Sequence, residues 1–189
     1  MTKNQWLIVT FLLFPPVTLG VISPSRILLP EFFGVTCVSE QICIDDQARL
    51  DEAHALLTSA QTSLREKWGM DSSPDKIIFC SKIECARRFG LNKAAGITFG
   101  QLGIVIAPRG WTHYYVTHEL IHDWQSDRYG SLALRLADQW IIEGMAYALS
   151  EDPRSVLAEP FETYRSKFSQ WQTEQSETSV IDALDVLLN

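Results

Sequence analysis

The chain has 189 residues, 46% hydrophobic, 11% aromatic and 21% charged, a globular composition that excludes a disordered or collagen-like chain. Lys and Arg total 16 against 23 Asp and Glu, for a formal net charge of −7, and no basic stripe breaks that acidity, so nucleic acid is not an expected partner. The length suits one domain with one core, and the placement of only 4 Cys and 4 His carries most of the remaining information.

Lys3 is followed by a stretch without charge that lasts until Arg26. Its apolar heart is Trp6 to Phe14, then Pro15-Pro16, then Val17 to Ile22. A charged start, a short apolar run and small residues near its end, such as Thr18 and Gly20, resemble a secretory signal. An uncleaved membrane anchor is the alternative, at the short edge of spanning length, and a buried first helix of the fold is the third. The expected division is therefore a signal peptide or anchor over 1–25 and a single domain over 26–189, exported to the periplasm or the extracellular space or anchored facing outside the cytoplasm. The cysteines agree with export. Cys37 and Cys43 are near neighbours, as are Cys80 and Cys85, which suits two local disulfides in an oxidising compartment. Four cysteines allow three pairings, and a four-thiolate metal site or buried thiols are the rivals.

Along the chain, 23–44 reads as mixed, broken by Pro24, Pro30 and Gly34. Asp45 to Trp68 is expected to be a helix, because Leu50, Ala53, Leu57, Ala60, Leu64 and Trp68 recur at three- or four-residue steps, and Gly69 and Pro74 end it. Short strands are expected over 76–80, 97–99 and 103–107, punctuated by Gly96, Gly100 and Pro108. Thr112 can cap a helix running to about Arg128, with Gly130 as its stop. Further helices are expected over 137–150, 155–171 and 180–188. Helix, short strands, then helices predicts an α+β domain instead of alternating βαβ units.

Within the helix that starts near Thr112 the sequence reads His118-Glu119-Leu120-Ile121-His122. Residues four apart share a helical face, so both imidazoles can grip one ion, while Glu119 sits one step round the helix. Leu120 and Ile121 would face the core. A zinc ion needs a third protein ligand and an open position. An extension with Gly at 125 and a ligand His at 128 is ruled out, because those positions hold Gln125 and Arg128. The best remaining ligand is Glu143, in Trp140-Ile-Ile-Glu143-Gly144-Met-Ala146, 21 positions after His122 and on the next expected helix.

The two motifs together, across roughly residues 97 to 150, resemble the gluzincin zinc metallopeptidases, and the wording around Glu143 is similar to the aminopeptidase-type branch of that family. The resemblance implies a small zincin-like domain, with a short sheet and an active-site helix pair. It implies His118, His122 and Glu143 as ligands of a zinc ion, and Glu119 as the general base that activates water for peptide-bond hydrolysis. It also implies an upstream strand that holds extended substrate, for which 103–107 is placed as an edge strand, with a buried central strand as the other reading. A Tyr or His should stabilise the oxyanion. Tyr164 is the first choice, followed by Tyr147, Tyr115 and His113. His54 is expected on the surface of the first helix. Asp123 or Asp138 is expected to orient the imidazoles. The expected partner is a peptide or protein substrate, with membrane attachment only through the N-terminal segment and no oligomeric state implied. The alternative function is a non-catalytic exported binding or regulatory domain that keeps the fold; a structural domain with a chance motif is the third.

Overall fold

A computed structural model describes residues 25–175 and 178–188, so the leader expected over 1–25 lies, but for its last residue, outside the described residues. Twelve regular elements follow in order: α1 (Ser25–Leu28), β1 (Thr36–Cys37), β2 (Ile42–Ile44), α2 (Leu50–Trp68), β3 (Ile77–Phe79), α3 (Ile83–Arg88), β4 (Gly96–Thr98), β5 (Ile104–Ile106), α4 (His113–Leu136), α5 (Gln139–Leu149), α6 (Phe161–Glu174) and α7 (Val180–Leu188). The domain is mixed α+β, as the sequence predicts. No helix among the described residues is long and apolar enough to cross a membrane.

One five-stranded sheet has the order β1-β2-β3-β5-β4. Its three inner strands, β2, β3 and β5, are parallel, and β1 and β4 close the two edges antiparallel. The inner triplets Ile-Cys-Ile, Ile-Ile-Phe and Ile-Val-Ile are wholly apolar because both faces of the sheet are covered. The strand period of two sorts them. Ile42, Ile44, Ile77, Phe79, Ile104 and Ile106 join α2, α4 and α5 in one core, while Cys43, Ile78 and Val105 join Ile27, Cys85, Ala86 and Phe89 in the other. Two expectations change here. β2 and β3 are parallel and joined through α2, so the fold contains one βαβ crossover that reading 23–44 as irregular concealed. The strand at 103–107 is central, paired on both sides, so the edge strand next to the active helix is β4.

Both disulfides form between sequence neighbours. Cys37–Cys43 ties directly opposed residues of β1 and β2, and Cys80–Cys85 ties the end of β3 to α3, with no free cysteine left. Such bonds persist in an oxidising, non-cytosolic compartment.

The α2 helix follows its apolar pattern: Ala53, Leu57, Ala60 and Leu64 are buried, and Gly69 ends it in the left-handed region, its N–H returning to Leu64 and Arg65. In α4, Gly130 at φ 74° and ψ 160° breaks the helix where a stop is expected, and one further helical stretch reaches Leu136. Thr112 has the extended backbone of a cap residue, but its hydroxyl makes no capping bond. A further boundary differs at α6, which begins at Phe161 and not at 155. Pro160 lacks an N–H and disfavours helix in the residue before it. Residues 153–160 instead form a loop pinned by Arg165, which donates to the carbonyls of Arg154 and Ser155, and by Glu162, which accepts from the Leu157 N–H.

Candidate metal centre

The first four turns of α4 are held by their apolar side. Val116, Leu120 and Ile121 are fully buried in the larger core, and Trp124 nearly so. That leaves His118 and His122 on one adjoining face, four residues apart. Their Nε2 atoms lie 3.1 Å apart. Glu143, on α5, straddles both: one carboxylate oxygen is 3.6 Å from His118 Nε2 and the other 3.6 Å from His122 Nε2. One ligand atom from each residue fits within a 4.8 Å cluster. Two imidazole nitrogens about 2.1 Å from one tetrahedral ion would themselves sit about 3.4 Å apart, so the spacing fits a small divalent cation.

The tautomer of His122 fits it too. Gln125 donates from Nε2 to the Ile142 carbonyl at 3.1 Å, which turns its Oε1 toward His122 Nδ1 at 2.9 Å. His122 therefore carries its proton on Nδ1 and presents a bare lone pair at Nε2. Burial pushes the Glu143 carboxyl up, but the two imidazoles beside it, whenever either is protonated, more than offset it, so it lies below the ordinary carboxyl value and stays ionised. His118, His122 and Glu143 thus form a group able to bind a metal ion.

Glu119 stays out of this cluster. Its carboxylate packs against β4, where a Cβ on Gly96 would come within 2.7 Å of Glu119 Cγ, so any larger residue there would have to displace the Glu119 side chain. The Thr98 hydroxyl, 2.8 Å from Glu119 Oε2, donates to it. Burial pushes the Glu119 carboxyl up to about 7, against the pull of the His122 charge and the Thr98 hydroxyl. A carboxylate poised there can take and return protons near neutral pH.

The structure brings His118, His122, Glu143 and Glu119 to one cavity of about 660 Å³ and leaves Tyr164 out of its lining. The reason lies at Gly144, where α5 and α6 touch backbone to backbone: a Cβ there would meet the Tyr164 carbonyl at 2.4 Å. Tyr164 offers α5 its main chain, and its ring packs against Phe161. The phenols that do line the cavity are Tyr147 and Tyr115. Tyr147 stacks edge-on against His118, with ring centroids 4.4 Å apart, and burial, then the Glu143 charge, push its hydroxyl up to about 12. Neither expected orienting acid reaches a histidine. Asp123 is buried and accepts from Ser72 at 2.8 Å, and Asp138 accepts from the Trp140 indole. His54 is exposed, and His113 sits at the start of α4 beside Ser59 and Glu151.

Sequence reasoning therefore missed Gln125, Thr98 and Gly96. An isolated glycine next to a strand marks a close approach, so Gly96 was open to discovery; Gln125 and Thr98 depend on which helix and strand meet, which no spacing rule encodes. Compared with family models, curated proteins and solved structures, the chain matches none.

Proposed function

We propose that this chain is an exported, zinc-dependent peptidase. The observation that carries the proposal is the convergence of His118, His122 and Glu143 on one point, with a separate buried carboxylate, Glu119, fixed beside it. Two neutral imidazoles and one carboxylate are a donor set that suits zinc and leaves a position open. Zinc held there would supply Lewis acidity toward water and toward the scissile carbonyl. The chain's own residues do the rest. Glu119 accepts the proton of the attacking water and passes it to the leaving amine. Tyr147, neutral at pH 7, donates from its phenol toward the developing oxyanion, the role first assigned to Tyr164. The outer side of β4, unpaired in the sheet, can hold an extended peptide by strand addition. The two disulfides support export.

The test is a broad peptide-library cleavage assay on wild type and Glu119→Gln. Hydrolysis by wild type and its loss in Glu119→Gln, with metal content unchanged, is the expected outcome. No cleavage by zinc-loaded wild type favours a binding domain, and a fully active Glu119→Gln variant refutes the base assignment.

A further inference from the structure

Five charged residues line the cavity: Glu119, Glu143, Lys93, Arg109 and Arg154. The two acids belong to the centre already described. Arg154 is paired with Asp152, whose side chain is 1% exposed. Lys93 and Arg109 have no carboxylate within ion-pair distance among the described residues, although the chain as a whole has seven more acids than Lys and Arg. Two cationic residues lining a cavity without an ion-pair partner among the described residues leave a positive pole that substrate can fill.

Their position is set by the sheet. Gly96 of β4 pairs with Ile106 of β5, and the Ala107 N–H donates to the Ala95 carbonyl at 2.8 Å. Lys93 precedes that pair by three residues and Arg109 follows it by three, so both lie at one end of the β4–β5 ladder. Arg109 is fixed there: one terminal nitrogen donates to the Lys93 carbonyl and the other lies 3.2 Å from the Tyr115 hydroxyl. A guanidinium has five N–H donors, so three remain for a ligand. A peptide added antiparallel to β4 runs with its C-terminal end toward the start of β4, which is the end that carries the two cations.

We propose that Arg109 and Lys93 form a subsite for a substrate carboxylate, one that takes peptides whose C-terminal side carries a free terminal carboxylate or an acidic side chain. The subsite rests on the peptidase reading for its substrate class but is tested by binding alone. The probes are three mixtures of N-acetylated random hexapeptides: one without Asp or Glu that ends in a free carboxylate, one with Asp and Glu that ends in an amide, and one with neither carboxylate. Each is equilibrated with the full-length Glu119→Gln protein in the presence of zinc, and the bound fraction is measured by mass spectrometry. The free-acid mixture should bind about tenfold more tightly than the carboxylate-free one, the acidic amide mixture reports the side-chain source, and the preference should fall to near unity in Arg109→Ala/Lys93→Ala while Arg109→Lys keeps part of it. Both residues are exposed, so these variants leave the core untouched. Equal binding of all three mixtures, no binding of any, or a preference that survives the double alanine variant overturns the subsite. A carboxylate preference in a protein whose wild type cleaves nothing upholds the subsite and refutes the peptidase reading.

Discussion

Helix α4 carries two histidine–glutamate clusters, and they differ in instructive ways. At its first residue, His113 lies 3.7 Å from Glu151; five and nine residues later, His118 and His122 lie 3.6 Å from Glu143. Distance alone does not separate them. In the first cluster the Glu151 carboxylate is neutralised by Lys67, and the side chains are 32% to 49% exposed. In the second, among the described residues, no Lys or Arg pairs with Glu143, exposure falls to between 9% and 27%, and Gln125 fixes which nitrogen of His122 faces inward. A surface contact satisfies its own charges. A metal site leaves lone pairs and negative charge aimed at one point and keeps the counter-ion outside the protein.

Removing a ligand sharpens this contrast most. His118→Ala should weaken zinc binding at least about a thousandfold, whereas His113→Ala should leave it unchanged, as read by competition with a chromogenic chelator. Equal effects of the two variants would erase the distinction. A smaller effect tests orientation: Gln125→Leu should cost about 10- to 100-fold in zinc affinity, because the imidazole of His122 loses its tautomer lock while both ligand nitrogens remain. An unchanged affinity would make Gln125 a packing residue.

The smallest effect falls on the surface cluster and concerns pH. Burial, then the Lys67 ammonium, hold the proton affinity of His113 below its ordinary value despite Glu151 nearby. The folded state therefore binds that proton less readily than the unfolded chain. Its contribution to stability is present above about pH 6.5 and is lost as pH falls through the lower folded value. Urea unfolding from pH 7.5 to 5 should show His113→Gln flattening the decline by a few tenths of a kcal/mol, on the scale of exposed pairs. A steeper decline in the variant would reverse the assignment.

What the sequence made legible follows the same division. The inner strands β3 and β5 and helix α2 could be placed because burial writes a plain apolar pattern. The β1–β2 pair could not: β1 has only two residues, and Ile42-Cys43-Ile44 follows the polar run Ser39-Glu40-Gln41 in a stretch broken by Pro30 and Gly34, which reads as irregular. His118, His122 and Glu143 were legible because ligand spacing on helices is itself a sequence pattern. The residues around them were not, since they come from helix and strand contacts. Asp123 and Asp138 adjoin or approach the ligands in sequence yet turn to Ser72 and Trp140. Tyr164 follows Glu143 along the chain, but the close approach at Gly144 gives α5 its carbonyl and keeps its phenol out of the cavity lining.

Whether the second cluster is one metal centre is decided most directly by zinc counted per chain in the purified wild-type protein, by elemental analysis after dialysis against metal-free buffer and reloading with one equivalent. About one zinc per chain, reduced to none in Glu143→Ala and kept in Glu151→Ala, is the predicted result. A wild-type protein that retains no zinc after reloading, or a Glu143→Ala variant that retains as much as wild type, would contradict it.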